Sequence, residues 1–149
     1  FWNAGSSHCH NALQTVASIA NRFRGDATVI AVHVPKFEFE RDGAVAWDTL
    51  RLKGVALPLA NDVDWACWQH YGISAWPTVV LIDAEGALAD RFVGDREIEQ
   101  ALPALEALVD ANFAHAPGHC EPPRLENPGT RGALYAPGGL LATPSRLYV

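Results

Sequence analysis

The chain has 149 residues, 49% of them hydrophobic and 19% charged, which fits one soluble globular domain of ordinary size with a tail. No apolar run approaches the roughly 18 residues that suggest a membrane span, so a membrane is not an expected partner. The formal net charge is −6 and the eleven Lys and Arg are scattered; with no basic stripe to neutralise phosphates, nucleic acid is not expected either.

In chain order, Leu13, Val16, Ile19, Ala20 and Phe23 recur at helical spacing after Ser6, and Gly25 follows as a stop. This predicts an amphipathic helix over 6–24. The run Ala27 to Val34 is β-branched and nearly all apolar, as in a strand buried on both faces of a parallel sheet, and Pro35 ends it. Residues 42–54 carry Val45, Trp47, Leu50 and Leu52 between polar positions and read as a helix closed by Gly54. A short strand over 55–60 is expected next, then a helix capped by Asn61 or Asp62 and running to Gly72. Trp76-Pro77 breaks any regular element.

Thr78–Ile82 and Ala87–Val93 flank the polar turn Asp83-Ala84-Glu85-Gly86, the pattern of an antiparallel hairpin. Ile98, Leu102, Leu105, Leu108 and Val109 return to helical spacing over 95–112, with Pro103 in the first turns. From Ala114 the composition shifts to Pro and Gly, so the reading divides the chain into a domain over 1–113, a linker over 114–139, and two short strands within 140–149.

The three cysteines, Cys9, Cys67 and Cys120, are an odd number at long spacings and do not form a disulfide framework. A reduced, cytoplasmic-type interior fits at least as well. The sequence holds no Met, so a longer parent chain is expected and upstream targeting signals are not visible.

The order helix, strand, helix, strand, helix, X-Pro, hairpin, helix resembles the second half of a thioredoxin fold. Phe1-Trp2 resembles the end of the central strand in the signature FW-x-x-x-C-x-x-C, with Ser6 and Cys9 on its two cysteine positions, and Trp76-Pro77-Thr78 looks like the cis-proline loop. Within that superfamily the chain is similar to the thioredoxin-like domain that precedes NHL-repeat β-propellers. Val32-His33-Val34-Pro35-Lys36-Phe37 resembles its VHS-x-KF segment, and Asn61-Asp62 followed by Trp68 its ND-x-D…W stretch. Tyr135 to Leu140 and Arg146 to Val149 resemble the first propeller strands. The resemblance implies an α/β three-layer sandwich with a mixed central sheet and a C-terminal β-hairpin, lacking its N-terminal strand or strands. It also implies that Phe1-Trp2 lies between the strands at 27–34 and 78–82.

On those positions Ser6 and Cys9 are the candidate catalytic pair of a thiol-disulfide oxidoreductase site. Ser6 lacks the thiol, and a hydroxyl has no accessible anion near neutral pH unless a base takes its proton; its residue-level role is a helix N-cap. Cys9 falls in the first helical turn, where the helix dipole and His8 and His10 favour a thiolate, or it packs under the loop as a small hydrophobe. Trp2 and Trp76 flank the loop as an apolar wall. Pro77, with the backbone of Ala75 or Trp76, is the candidate surface for pairing with an extended peptide.

No cofactor is implied. A metal at His8-Cys9-His10 is disfavoured because adjacent helical residues point about 100° apart. The expected activity is therefore an oxidoreductase-like domain impaired in dithiol exchange, with a protein or peptide thiol as its partner. One alternative is a binding module packed on a propeller. The other is a one-cysteine peroxidase, because Ser6-x-x-Cys9 resembles the Thr-x-x-Cys loop of peroxiredoxins.

Overall fold

The structure is a computed structural model and describes residues 1–113, 141–143 and 146–148. The linker drawn over 114–139, and Cys120 within it, lie outside the described residues. Among the described residues there are four helices: α1 (Ser7–Arg22), α2 (Ala44–Leu52), α3 (Ala66–His70) and α4 (Ala101–Phe113). The strands are β1 (Ala31–His33), β2 (Leu59–Asn61), β3 (Thr78–Ile82), β4 (Leu88–Val93), β5 (Leu141–Thr143) and β6 (Arg146–Tyr148). Single 3-10 turns stand at Glu38–Glu40 and Ile98–Gln100. No helix among the described residues is long and apolar enough to cross a membrane.

β1 and β2 pair in parallel with Ala31 opposite Leu59, and β3 and β4 pair antiparallel with Thr78 opposite Val93. Phe1 and Trp2 join the two pairs into one mixed sheet. The Trp2 N–H donates to Val32 O and the Val34 N–H to Trp2 O, both at 2.9 Å. On the other side the Phe1 amino group donates to Thr78 O at 2.7 Å, and the Thr78 N–H to Phe1 O at 3.0 Å. The two residues therefore run parallel to β1 and antiparallel to β3, in the place the sequence reading gave them.

Beyond Phe1 no described strand continues between β1 and β3. A cavity of about 320 Å³ occupies that slot, with Thr28, Ile30 and Val32 on one wall, Val80 and Ile82 on the other, and Leu105 of α4 as part of its lining. This explains why the strand expected over 27–34 is regular only over Ala31–His33. β2 begins at Leu59, so residues 27–30 lack a ladder partner there as well.

Two other expectations are corrected. The strand expected over 55–60 starts at Leu59, because Val55 and Leu57 are buried from an irregular approach to it. The helix expected to run to Gly72 contracts to Ala66–His70, behind Trp65 in a left-handed conformation. Asp62 still caps it, its carboxylate accepting from the N–H groups of Cys67 and Trp68 at 3.1 and 2.8 Å.

α1 lies over the sheet and feeds two apolar clusters. Cys9 and Leu13 pack with Trp2, Ala31, Leu50 of α2 and Leu57. Ala12 packs with Leu81, Phe92, Ile98 and Ala101, joining α1 to the hairpin and α4. Each fully buried Leu or Ile contributes roughly 1.5–3 kcal/mol by leaving water. β5 and β6 form a separate antiparallel pair with Leu141 opposite Tyr148.

Candidate functional site

The site is the turn between Trp2 and α1, facing the loop before β3. Ser6 is the N-cap of α1: it has extended backbone angles and its hydroxyl accepts from the Cys9 N–H at 3.5 Å. Cys9 follows in the first turn and is 0% exposed. Its sulfur accepts the Asn3 N–H at 3.4 Å. Burial pushes the thiol above 9.0, outweighing the opposing hydrogen bonds from the Ser6 side chain and the Asn3 backbone, while Asp95 adds to the rise. The thiolate-favouring first turn expected from sequence is thus overcome by desolvation.

The flanking histidines diverge. His8 pairs its Nδ1 with Asp95 Oδ2 at 3.0 Å on the surface, and His10 places Nε2 2.7 Å from Ala4 O. Among the described residues no group of three His, Cys, Asp or Glu is placed to hold a metal ion.

Trp2 is buried, its ring edge-on to His33 at 5.2 Å, so it serves the core and offers little surface to a ligand. Trp76 is half-buried and packs against the cluster that contains Cys9. The Trp76–Pro77 peptide is cis. Trp76 also packs edge-on to Trp65 and tilted against Trp68, at centroid distances of 5.5 and 4.7 Å, which makes a three-indole wall beside the Pro77 turn. Ala75 O accepts the Thr78 hydroxyl at 2.8 Å, so that carbonyl is partly engaged. The structure thus gathers Ser6, Cys9, Trp76 and Pro77 on one region and moves Trp2 beneath it. Cys67 is half-buried on α3, and both it and Cys9 are free thiols.

Sequence reasoning missed two residues. Asn3 spends every polar atom on the turn. Its N–H goes to Cys9, its carbonyl accepts the Ser6 N–H, and its Oδ1 accepts the Gly5 N–H. Its Nδ2 donates to Val34 O and to Glu40 Oε2, both at 3.0 Å. Glu40, 0% exposed, is the second. His33, buried at the end of β1, pairs Nδ1 with Asn61 Oδ1 at 2.8 Å, and its buried Nε2 has no hydrogen-bond partner among the described residues.

No family model matches the chain. Among curated proteins it is 33% identical over 90 residues to protein DipZ of Mycobacterium tuberculosis, covering 59% of this chain and 13% of that one. It is 25% identical over 96 residues to the chloroplastic protein SUPPRESSOR OF QUENCHING 1 of Arabidopsis thaliana, covering 64% and 9%. With human NHL repeat-containing protein 2 it shares 28% identity over 67 residues, covering 45% and 9%. The chain thus spans only about a tenth of the length of these relatives.

Among solved structures it superposes on a candidate thiol:disulfide interchange protein DsbE from Chlorobium tepidum with a TM-score of 0.61 at 22% identity, covering 74% of each chain. StoA from Bacillus subtilis gives a TM-score of 0.54 at 20% identity, covering 69% of this chain and 76% of that one. With the mixed sheet, the helix capped by Ser6 and the Pro77 turn, these likenesses show that the chain has a thioredoxin-like α/β fold.

Proposed function

We propose that this domain descends from a thiol-disulfide oxidoreductase and is impaired in dithiol exchange, keeping a peptide-binding face around Trp76 and Pro77. One observation carries the reading. The residue at the position of the attacking thiol is Ser6, whose hydroxyl is engaged as the α1 cap, while the remaining thiol, Cys9, is fully buried. Exchange needs an exposed thiolate to open the substrate disulfide and a second thiol to resolve the mixed disulfide. Ser6 cannot supply the first step, and Cys9 stands in the position of the second.

The partner in this reading is a protein or peptide carrying a thiol or disulfide, laid against Trp76 and Pro77. The likeness to NHL repeat-containing protein 2 and the paired strands β5 and β6 support a parent in which residues 140–149 open a propeller after the linker. Insulin-disulfide reduction tests the activity: the wild-type chain is expected to give no turnover and Ser6→Cys to gain it. Turnover by the wild-type chain would overturn the reading.

A second reading, a module that only binds, is favoured by the burial of Cys9. Turnover by Ser6→Cys decides between them: insulin reduction by the variant supports the first reading, and a folded variant that gains none supports the second. The one-cysteine peroxidase reading draws no support from the site, since peroxide attack needs an accessible thiolate.

A further inference from the structure

We propose that Glu40 is a positioning residue for Cys9, acting through Asn3: its carboxylate fixes the Asn3 side chain, and so aims the Asn3 backbone N–H at the Cys9 sulfur. This rests on the reading of Cys9 as the remaining thiol of a thioredoxin-like site.

Four observations carry it. Glu40 lies on the turn Glu38–Glu40, far along the chain from the site, yet is 0% exposed. A buried carboxylate is tolerated only where donors replace its water. Three do so at Oε2: Asn3 Nδ2 at 3.0 Å, the Lys36 N–H at 2.6 Å and the Phe37 N–H at 3.0 Å. The other oxygen, Oε1, is buried with no partner among the described residues and faces the site turn, where a Cβ on Gly5 would stand 3.2 Å from both it and Asn3 Oδ1.

Asn3 completes the connection. With its Nδ2 held by Glu40 and Val34 O and its Oδ1 by the Gly5 N–H, the amide has one orientation. The backbone of residue 3 is thereby set against Cys9 at 3.4 Å. The Lys36-Phe37 backbone is the fixed base, Glu40 the connecting arm, and Asn3 the group that touches the sulfur.

Burial tends to raise the Glu40 carboxyl, but the bonds from Asn3, Phe37 and Lys36, with His33 nearby, hold it below 4.5. The carboxylate form therefore persists across the neutral range. The groups that face Cys9 itself are Ser6, Asn3, the Phe1 ammonium and Asp95. Glu40 bonds the Asn3 side chain, and it is the Asn3 N–H that touches the sulfur, so the connection runs through the position of Asn3.

The test is the pH profile of Cys9 alkylation in the 149-residue chain, read by peptide mapping so that Cys67 and Cys120 do not contribute. The plateau rate at high pH reports access, and the midpoint reports ionisation. Glu40→Ala is expected to raise the midpoint by about half a unit or more, a roughly threefold slower reaction at any pH below it. Asn3→Ala, which keeps the backbone N–H but loses its anchors, is expected to give the same shift, and the double variant no more than either. Glu40→Gln keeps an acceptor of the same shape and is expected to restore the wild-type midpoint.

An unchanged midpoint in a folded Glu40→Ala chain, additive shifts, or a Glu40→Gln midpoint displaced like that of Ala would each overturn the proposal. If Glu40→Ala does not fold, an unchanged midpoint in Asn3→Ala does the same. No disulfide substrate enters this measurement, so its failure is separable from a failure of the proposed activity.

Discussion

The hydroxyl of Ser6 meets the backbone N–H of Cys9 at 3.5 Å, so one side chain both caps α1 and occupies the position of an attacking thiol. Replacing Ser6 by Ala leaves that N–H without its acceptor in a partly buried turn. The expected cost is about 1 kcal/mol, seen as a lower urea midpoint with an unchanged slope. No loss of stability would show that the cap is not engaged in solution.

In the 149-residue chain with a free amino group at Phe1, stability is expected to peak between about pH 8 and 9, set by groups whose folded values are displaced. Burial lowers the Phe1 amino group from 8.0 to about 6, against a smaller opposing effect from Cys9. A depressed value means stability present above 8.0 and lost as pH falls through 6. Burial likewise lowers His33 below 6.5, so its contribution is lost on further acidification, and that of Glu40 is lost below 4.5. On the alkaline side burial raises Cys9 above 9.0, so stability fades as pH climbs past that value. Urea midpoints across pH 5 to 10 check the profile. Acetylating the Phe1 amino group should flatten the limb between pH 8 and 6; a limb that persists would assign it elsewhere.

Trp65 sits at φ 60°, the left-handed region that costs a residue with a Cβ roughly 1–2 kcal/mol. Its indole is held by Nε1 donating to Pro35 O at 3.1 Å and by Trp68 and Trp76. Both Trp65→Ala and Trp65→Gly lose that packing, but glycine escapes the backbone strain. The glycine variant is expected to be the more stable by about 1 kcal/mol, despite its greater unfolded-state entropy. Chemical denaturation of the two side by side decides it, and the reverse order would contradict the conformation.

How far these features were legible in the sequence depends on how local their causes are. The hairpin was readable because its turn chemistry lies within five residues: Asp83 Oδ1 accepts the N–H groups of Glu85 and Ala87, and Gly86 takes φ +85°. The α1 cap and the Pro77 turn were readable for the same reason, each resting on one residue and its neighbours. The register of Phe1-Trp2 against Val32 and Thr78 was reachable only through the family resemblance. Glu40 was not readable at all. In Phe37-Glu38-Phe39-Glu40 the apolar rings are the exposed ones, at 50% and 65%, and the second glutamate is buried. Its reason for being inside is Asn3, 37 positions away. For Cys9 the sequence left two readings open, a dipole-favoured thiolate and a small hydrophobe packed under the loop, because spacing reports the helix dipole but not how much water the fold removes.

The slot between β1 and β3 yields a further expectation. Its walls are the extended segments 28–32 and 80–82, whose backbone N–H and C=O groups can pair with a strand, so a chain extended upstream of Phe1 by about four alternating β-branched residues should continue the ladder. The melting temperature is expected to rise by several degrees, whereas a Gly-Ser extension of equal length should leave it unchanged. Equal melting temperatures would show that the slot does not take a strand.

The most direct test of the central claim is the intact mass of Ser6→Cys after mild oxidation, with Cys67 and Cys120 replaced by Ser. If the chain retains the geometry of a dithiol site and lacks only its first thiol, the variant loses two hydrogens by joining residues 6 and 9, while the matching chain with Ser6 restored keeps its mass. A variant that stays reduced, or that forms only intermolecular disulfides, would contradict the account.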